Sequence, residues 1–359
     1  MTKNNKQLPT PEGLYFEDFF IGQVLVHGVP RTITEADATL YTALTGSRFA
    51  LHCAATAAQL VGFKTMPIDN FLLFHIAFGK TVNHVSLNAV ANLGYAEVIF
   101  NRPTYAGDTI KVVSEVIGLK ENSNGKTGIV YVHSSAVNQD DKLVLSFKRW
   151  VMVHKKDPNT PTNTSQLPTL TSEVSSEYQV IPEPLNLSQW PDYISDSQYR
   201  ASDLAVGDTL FHRDGITIND SDHSLATRLY QNNARVHFDQ HMMNDSKHGK
   251  RLVYGGHIIS LCRALTYNGL GNCLWLTAIH SGSHCNPSFA GDTIYAQSTI
   301  LNISDVESRD DLSLVTVQMI GIKNNTPDNM EYLHKTVDGK KRYHSDVVLD
   351  MQLSYVMPK

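Results

Sequence analysis

Twice in this chain a histidine closes a short polar turn just beyond a helix. One turn runs from Tyr230 to Asp239 and reads Tyr-Gln-Asn-Asn-Ala-Arg-Val-His-Phe-Asp. The other runs from Thr45 to His52 and reads Thr-Gly-Ser-Arg-Phe-Ala-Leu-His. Imidazole has its ordinary pKa nearest neutrality, so His237 and His52 are candidates for general acid–base work. The plainer role is structural, since a histidine there can also hold the turn by bonding a carbonyl. For His52 the structural role is preferred. Arg235, two residues before His237, carries a planar fork of donors that matches a carboxylate in two bonds, and Arg48 holds a nearby register in the other turn. His237 and His241 have helical ligand spacing, with His248 further on. No cysteine lies beside them and His248 falls in a polar loop, so no metal site is expected.

The elements that must position these side chains come in two sets. Residues 22–52 lie over residues 207–237 at a constant offset of 185, sharing Gly22/Gly207, His27/His212, Asp37/Asp222, Leu40/Leu225 and His52/His237 among others. A second echo matches Pro103–Thr109 with Pro287–Thr293. Repetition on this scale is an internal duplication, and two copies of one site are free to diverge. In each copy a capping residue stands three before an acid, Thr34 before Asp37 and Asn219 before Asp222, which predicts a helix start. A longer apolar stretch follows in each, over residues 69–82 and 252–270, and predicts a buried central helix. Residues 109–119, 128–137 and 143–154 then alternate apolar and polar, as do 293–303, 313–322 and 347–356. The expected class is α+β, each half an antiparallel sheet wrapped around a long helix. The expected units are residues 1–156, a Ser/Thr/Pro-rich linker over 157–198 pinned by Ile181, Trp190 and Tyr193, and residues 199–359.

Hydrophobic residues make up 42% and charged residues 18% of the chain, with a net charge of −5, which argues against a nucleic-acid partner. Cys53, Cys262, Cys273 and Cys285 show no ligand or disulfide spacing and read as reduced cysteines. No apolar run approaches a membrane span, and the opening MTKNNKQLPTPEG lacks the apolar core of a signal peptide. The expectation is a cytoplasmic protein without membrane association.

A helix leading to a polar turn with histidine, then a glycine-led apolar helix, then Pro-x-Tyr/Phe-Ala-Gly-Asp-Thr, resembles the MaoC-like, R-specific enoyl-CoA hydratases of the hotdog fold. Their turn signature is roughly S/T-G-D-x-N-P-x-H-x-D. Thr45, Gly46, Ser47 and His52 match part of it in the first copy, His237 and Asp239 in the second. Longer blocks, including Leu40–Leu51, Val85–Glu97, Glu115–Gly128, Leu229–Asp239 and Val253–His257, are similar to one branch of that family. The resemblance covers all but the termini and the linker.

What the resemblance implies is a double hotdog that reversibly hydrates mesaconyl-CoA to β-methylmalyl-CoA, with CoA entering as part of the substrate and no cofactor. It implies a backbone N–H as oxyanion donor, carried over best to Gly256 with Gly255 as the near alternative. His257 follows directly and could touch the thioester. The departure is Asn232, which stands where the family signature has aspartate and cannot exchange a proton at neutral pH. His237 then works alone with Asn232 orienting the water, or Asp239 enters the site, or Asp239 only orients His237; the first is preferred. A substrate carrying its own carboxylate would be repelled by a second one nearby, which gives a reason for the amide. The first copy reads as the degenerate half that makes room for the acyl or pantetheine arm. Lys80, Arg102, Lys120 and Lys126 are unranked candidates for the CoA phosphates. Competing readings are a hydratase of simple 2-enoyl-CoA thioesters, a hotdog thioesterase, and a non-catalytic acyl-CoA-binding protein. One chain should supply a complete site, and pairing of two chains into a homodimer is left open.

Overall fold

The computed structural model describes residues 12–159, 161–162, 164–307 and 309–359, so the first eleven residues of the polar opening lie outside it. Thr34 accepts the Asp37 N–H through its hydroxyl while the Asp37 carboxylate takes the Thr34 N–H, and this reciprocal capping box starts the helix Glu35–Thr45. In the second copy the Asn219 amide bonds the Asp222 carboxylate at the start of Asp220–Leu229. The two central helices are Asn70–Thr81, buried along its whole length, and Gly255–Leu270, whose last turn is broken at Asn268 and Gly269.

The first half contributes strands β1 (Val24–Thr32), β2 (Ala89–Phe100), β3 (Thr109–Glu121), β4 (Thr127–Val137) and β5 (Leu143–His154). The short β6 (Ser165–Gln166) of the linker pairs with β3. The second half contributes β7 (Thr209–Thr217), β8 (Trp275–His284), β9 (Thr293–Val306) and β10 (Arg309–Lys323), a small hairpin of β11 (His334–Val337) and β12 (Lys340–Tyr343), and β13 (Val347–Pro358). Hydrogen bonding runs in the order β1-β3-β4-β5-β2-β8-β13-β10-β9-β7, so each half repeats one order from its edge inward. The halves meet where β2 pairs antiparallel with β8, Tyr95 opposite Gly282 and Ile99 opposite Ala278. Two helix-wrapped sheets thus become one continuous sheet, and both central helices share one apolar core through Phe71, Phe74, Ile258, Ile259, Leu349 and Met351.

The linker crosses this body in short turns. Trp190 is buried, donates its indole N–H to Asn272, and packs with Leu185, Leu187 and Trp275, with Ile181 against the same cluster. Tyr193 departs from expectation: it is 83% exposed, because Ser195 takes the inward position of its single helical turn. No helix among the described residues is long and apolar enough to cross a membrane.

Candidate active site

A cavity of about 340 Å³ lies between the halves. The first half supplies Phe78 and Val82 from the end of its central helix, Ser86, and Ala89 to Tyr95 along β2. The second supplies Asn232 and His237 from the polar turn, Leu252 to Gly255, and His284 from the end of β8. None of the cavity-lining residues is an Asp or a Glu.

His237 is buried, with its Nδ1 2.9 Å from the Leu252 carbonyl. A carbonyl only accepts, so Nδ1 carries the proton and Nε2 keeps its lone pair for the cavity. Burial pulls the histidine down to about 4, the Leu252 bond opposing, so it is neutral at pH 7 and able to take a proton. Asn232 is buried beside it. Its Oδ1 accepts the Ala234 N–H at 3.0 Å, which leaves the Nδ2 hydrogens as its contribution to the cavity. The turn is seated on the first half: a Cβ on Gly79 would lie 1.9 Å from the Tyr230 carbonyl oxygen, so only glycine lets the turn approach. Lys80 fixes the same turn, reaching the Gln231 side chain at 2.6 Å and the Val29 carbonyl. It is therefore engaged in the turn.

Opposite stands the N-terminus of the helix Gly255–Leu270. Its N-cap, Tyr254, offers no side-chain cap, and first-turn N–H groups have no acceptor within a helix. Gly255 lines the cavity, and a Cβ there would lie 2.3 Å from the His284 ring. Nε2 of His284 is 2.9 Å from the Tyr95 hydroxyl. Tyr95 is buried and burial raises its pKa, so it keeps its proton; donating that proton to Nε2 satisfies it and leaves His284 with Nδ1–H. Burial also lowers His284 to about 4.

The first copy preserves the frame of this site and caps its helix start. His52 Nδ1 meets the Pro67 carbonyl at 3.0 Å, the counterpart of His237 on Leu252 at the same offset of 185. The helix start that corresponds to Gly255 is capped, since the Asp69 carboxylate takes the Phe71 N–H at 2.8 Å. The N–H taken up in this way is the counterpart of the Gly256 N–H at the same offset.

The profile of the mesaconyl-CoA hydratase family matches residues 5–328. The chain belongs to that family. It is 47% identical over 350 residues to the β-methylmalyl-CoA dehydratase of Chloroflexus aurantiacus, spanning 98% of each chain. It is 41% identical over 352 residues to the mesaconyl-CoA hydratase of Cereibacter sphaeroides, covering 98% of this chain and 100% of the relative. Among solved structures, a putative MaoC domain protein dehydratase from Chloroflexus aurantiacus superimposes with a TM-score of 0.94 at 47% identity, over 98% of this chain and 99% of that one. A Mycobacterium tuberculosis protein described as a double hotdog gives 0.75 at 22% identity, over 97% of this chain and 99% of that one, a likeness of fold. The chain is a MaoC-like double hotdog and, as a member of the mesaconyl-CoA hydratase family, a hydro-lyase.

On this member of the mesaconyl-CoA hydratase family the residues singled out from sequence separate into three groups. His237, Asn232, Gly255 and Arg235 come together around the cavity, Arg235 exposed at its rim. Gly256 and His257 lie one and two residues behind: a Cβ on Gly256 would strike the Tyr254 ring at 2.3 Å, and His257 is buried, lowered to about 4 by burial, with Nδ1 unpartnered among the described residues. Asp239, Arg48 and His52 are not cavity-lining. The Asp239 carboxylate caps the helix Gln240–Met243 through the Met242 N–H. Arg48 bonds Asn268 at 2.8 Å and lies over the Tyr267 ring, at the position that corresponds to Asn233. Sequence reasoning missed His284 and Tyr95. The signal available for them was a histidine and a tyrosine on two central strands that went unread.

Proposed function

We propose that this chain reversibly adds water to the double bond of mesaconyl-CoA to give β-methylmalyl-CoA, as a cytoplasmic enzyme with CoA as part of its substrate. The supporting observation is the free Nε2 of His237 facing a carboxylate-free cavity beside the uncapped helix start at Gly255. The relatives' names point to the same thioesters.

In this reading a water molecule held by the Asn232 amide gives a proton to His237 Nε2 while its oxygen bonds the β carbon. The electron pair of the double bond moves through the α carbon onto the thioester oxygen. The Gly255 N–H, with Gly256 behind it and the helix dipole along it, stabilises that enolate, and His284 Nδ1–H is a second donor. Collapse of the enolate takes the proton from His237 to the α carbon, so H and OH are added and the base is restored. Asp239 acts on the turn alone. Arg235 at the rim draws in an anionic substrate.

Hotdog thioesterases usually place a Glu or Asp on the central helix to activate water, and the cavity lining has none. Incubation with mesaconyl-CoA and chromatography of the products tests the proposal. Accumulation of β-methylmalyl-CoA is expected; free CoA would mean hydrolysis, and unchanged thioester that nevertheless binds would mean a non-catalytic acyl-CoA-binding protein.

A further inference from the structure

Arg149, on β5, is fully buried and has no charged partner among the described residues. Its donors reach the Thr81 hydroxyl at 2.7 Å, the Ser86 hydroxyl at 3.3 Å and the Asn92 Oδ1 at 3.3 Å. Its guanidinium lies 4.3 Å from the centre of the Phe78 ring, and Nε has no partner among the described residues. Burial brings the group down to about 10, so it stays cationic at neutral pH. Holding a bare cation in a low-dielectric interior is costly, and buried charges are normally paired. Its neighbour Lys148 shows the usual solution, an ion pair with Glu97 at 2.6 Å. The other deeply buried guanidinium, Arg263, ends on the Cys273 carbonyl at 2.6 Å. Arg149 has neither kind of partner among the described residues.

What lies in front of it is the cavity. Ser86 and Asn92 both line the cavity, although the guanidinium itself does not. Ser86 Oγ accepts from Arg149, so its own hydrogen is free to donate forward. Asn92 Oδ1 accepts from Arg149, and its Nδ2 is buried without a partner among the described residues. Ser86 and Asn92 thus line an acid-free cavity, each with a hydrogen left to donate and a cation polarising it from behind. Contacts chain this wall to the base: Arg149 on Phe78, Phe78 5.6 Å from Tyr254, and Tyr254 5.6 Å from His237 between ring centres.

We infer that Ser86 and Asn92, backed by Arg149, form the subsite for the free carboxylate of a dicarboxylic acyl thioester. This rests on the proposed hydration and goes beyond it by assigning the residues that select a dicarboxylic over a simple enoyl chain. It also moves the carboxylate away from Arg235, which is exposed at the rim and screened by solvent and salt. A bound carboxylate there supplies the counter-charge Arg149 lacks, and a crotonyl chain leaves the donors unmatched.

The test compares kcat/KM for mesaconyl-CoA and crotonyl-CoA in the full chain and in Ser86→Ala, Asn92→Leu and Arg149→Met, each checked by circular dichroism and thermal melting. The inference predicts that the mesaconyl-to-crotonyl ratio falls about ten- to a hundredfold in the two wall variants, and further in Arg149→Met, with crotonyl-CoA turnover within a few fold of the parent. Folded wall variants that keep the parent ratio overturn it, as do equal losses on both substrates. Collapse of the ratio in Arg235→Ala with the wall variants unaffected puts the carboxylate at the rim and also overturns it. If Arg149→Met does not fold, the two wall variants carry the test. A parent chain inactive on mesaconyl-CoA instead sinks the functional reading on which the inference stands.

Discussion

The Leu252 carbonyl fixes which nitrogen of His237 holds the proton, and burial fixes that the ring is neutral. A base whose pKa is pulled down to about 4 is already competent at pH 7 and stays so as the pH rises. Acidification removes its lone pair. The kcat/KM of the enzyme should therefore be level through neutrality and decline only as the pH approaches about 4, read from initial rates at constant ionic strength. A decline centred near the ordinary imidazole value would mean that water enters the site and the burial argument fails. Asn232 makes a complementary prediction. Asn232→Asp restores an exchangeable proton but sets a carboxylate beside the substrate's own, at a cost of roughly 1–4 kcal/mol at intermediate dielectric. Its kcat/KM for mesaconyl-CoA should fall by about ten- to a thousandfold, while crotonyl-CoA, which has no second carboxylate, is spared.

At the scale of elements, the polar turn is only as well placed as the helix it sits on. Gly79→Ala would drive a methyl into the Tyr230 carbonyl, so the turn carrying Asn232 has to shift. Overpacking of this kind costs about 1–3 kcal/mol, and the expected result is a lower urea midpoint together with a larger loss of kcat than of substrate affinity. Capping and alternation made several elements readable in advance. Leu143–His154 alternates along its length because one face is core and the other is not, and the Thr34/Asp37 box announces its helix. The two strands at the junction of the halves left no such signal. Trp275–His284 is buried on both faces for most of its length, so period-two alternation is lost. Ala89–Phe100 has irregular register and a positive φ of 49° at Glu97. Tyr95 and His284 lie on these two strands, and the site residues missed from sequence were missed with them. The choice between Gly255 and Gly256 was likewise out of reach, since it depends on which N–H of one helical turn faces the cavity.

At the scale of the whole molecule, the duplication has been spent asymmetrically. One copy leaves its helix start without a side-chain cap; the other keeps the same histidine–carbonyl bond and caps its helix start with Asp69. The continuous sheet across β2 and β8 makes the first half a wall of the second half's cavity. Buried imidazoles run through both halves. Burial lowers His27 to about 3, and His212, His237, His257 and His284 to about 4. In the unfolded chain these groups titrate near 6.5, so between that value and about 4 the unfolded state binds more protons than the folded one. Stability is complete above the unfolded value and is lost as the pH falls through this window. The melting temperature should drop steeply from pH 7 to pH 5, checked by calorimetry across that range; a flat profile would mean that the imidazoles are solvated.

The central claim is tested most directly by loss of the unsaturated-thioester absorbance when the chain is mixed with mesaconyl-CoA, beside crotonyl-CoA and the His237→Ala variant. The account predicts fast turnover of mesaconyl-CoA, little of crotonyl-CoA, and a loss of about 10²–10⁴-fold in the variant. Full activity in His237→Ala, or no turnover of mesaconyl-CoA by the parent chain, would contradict it.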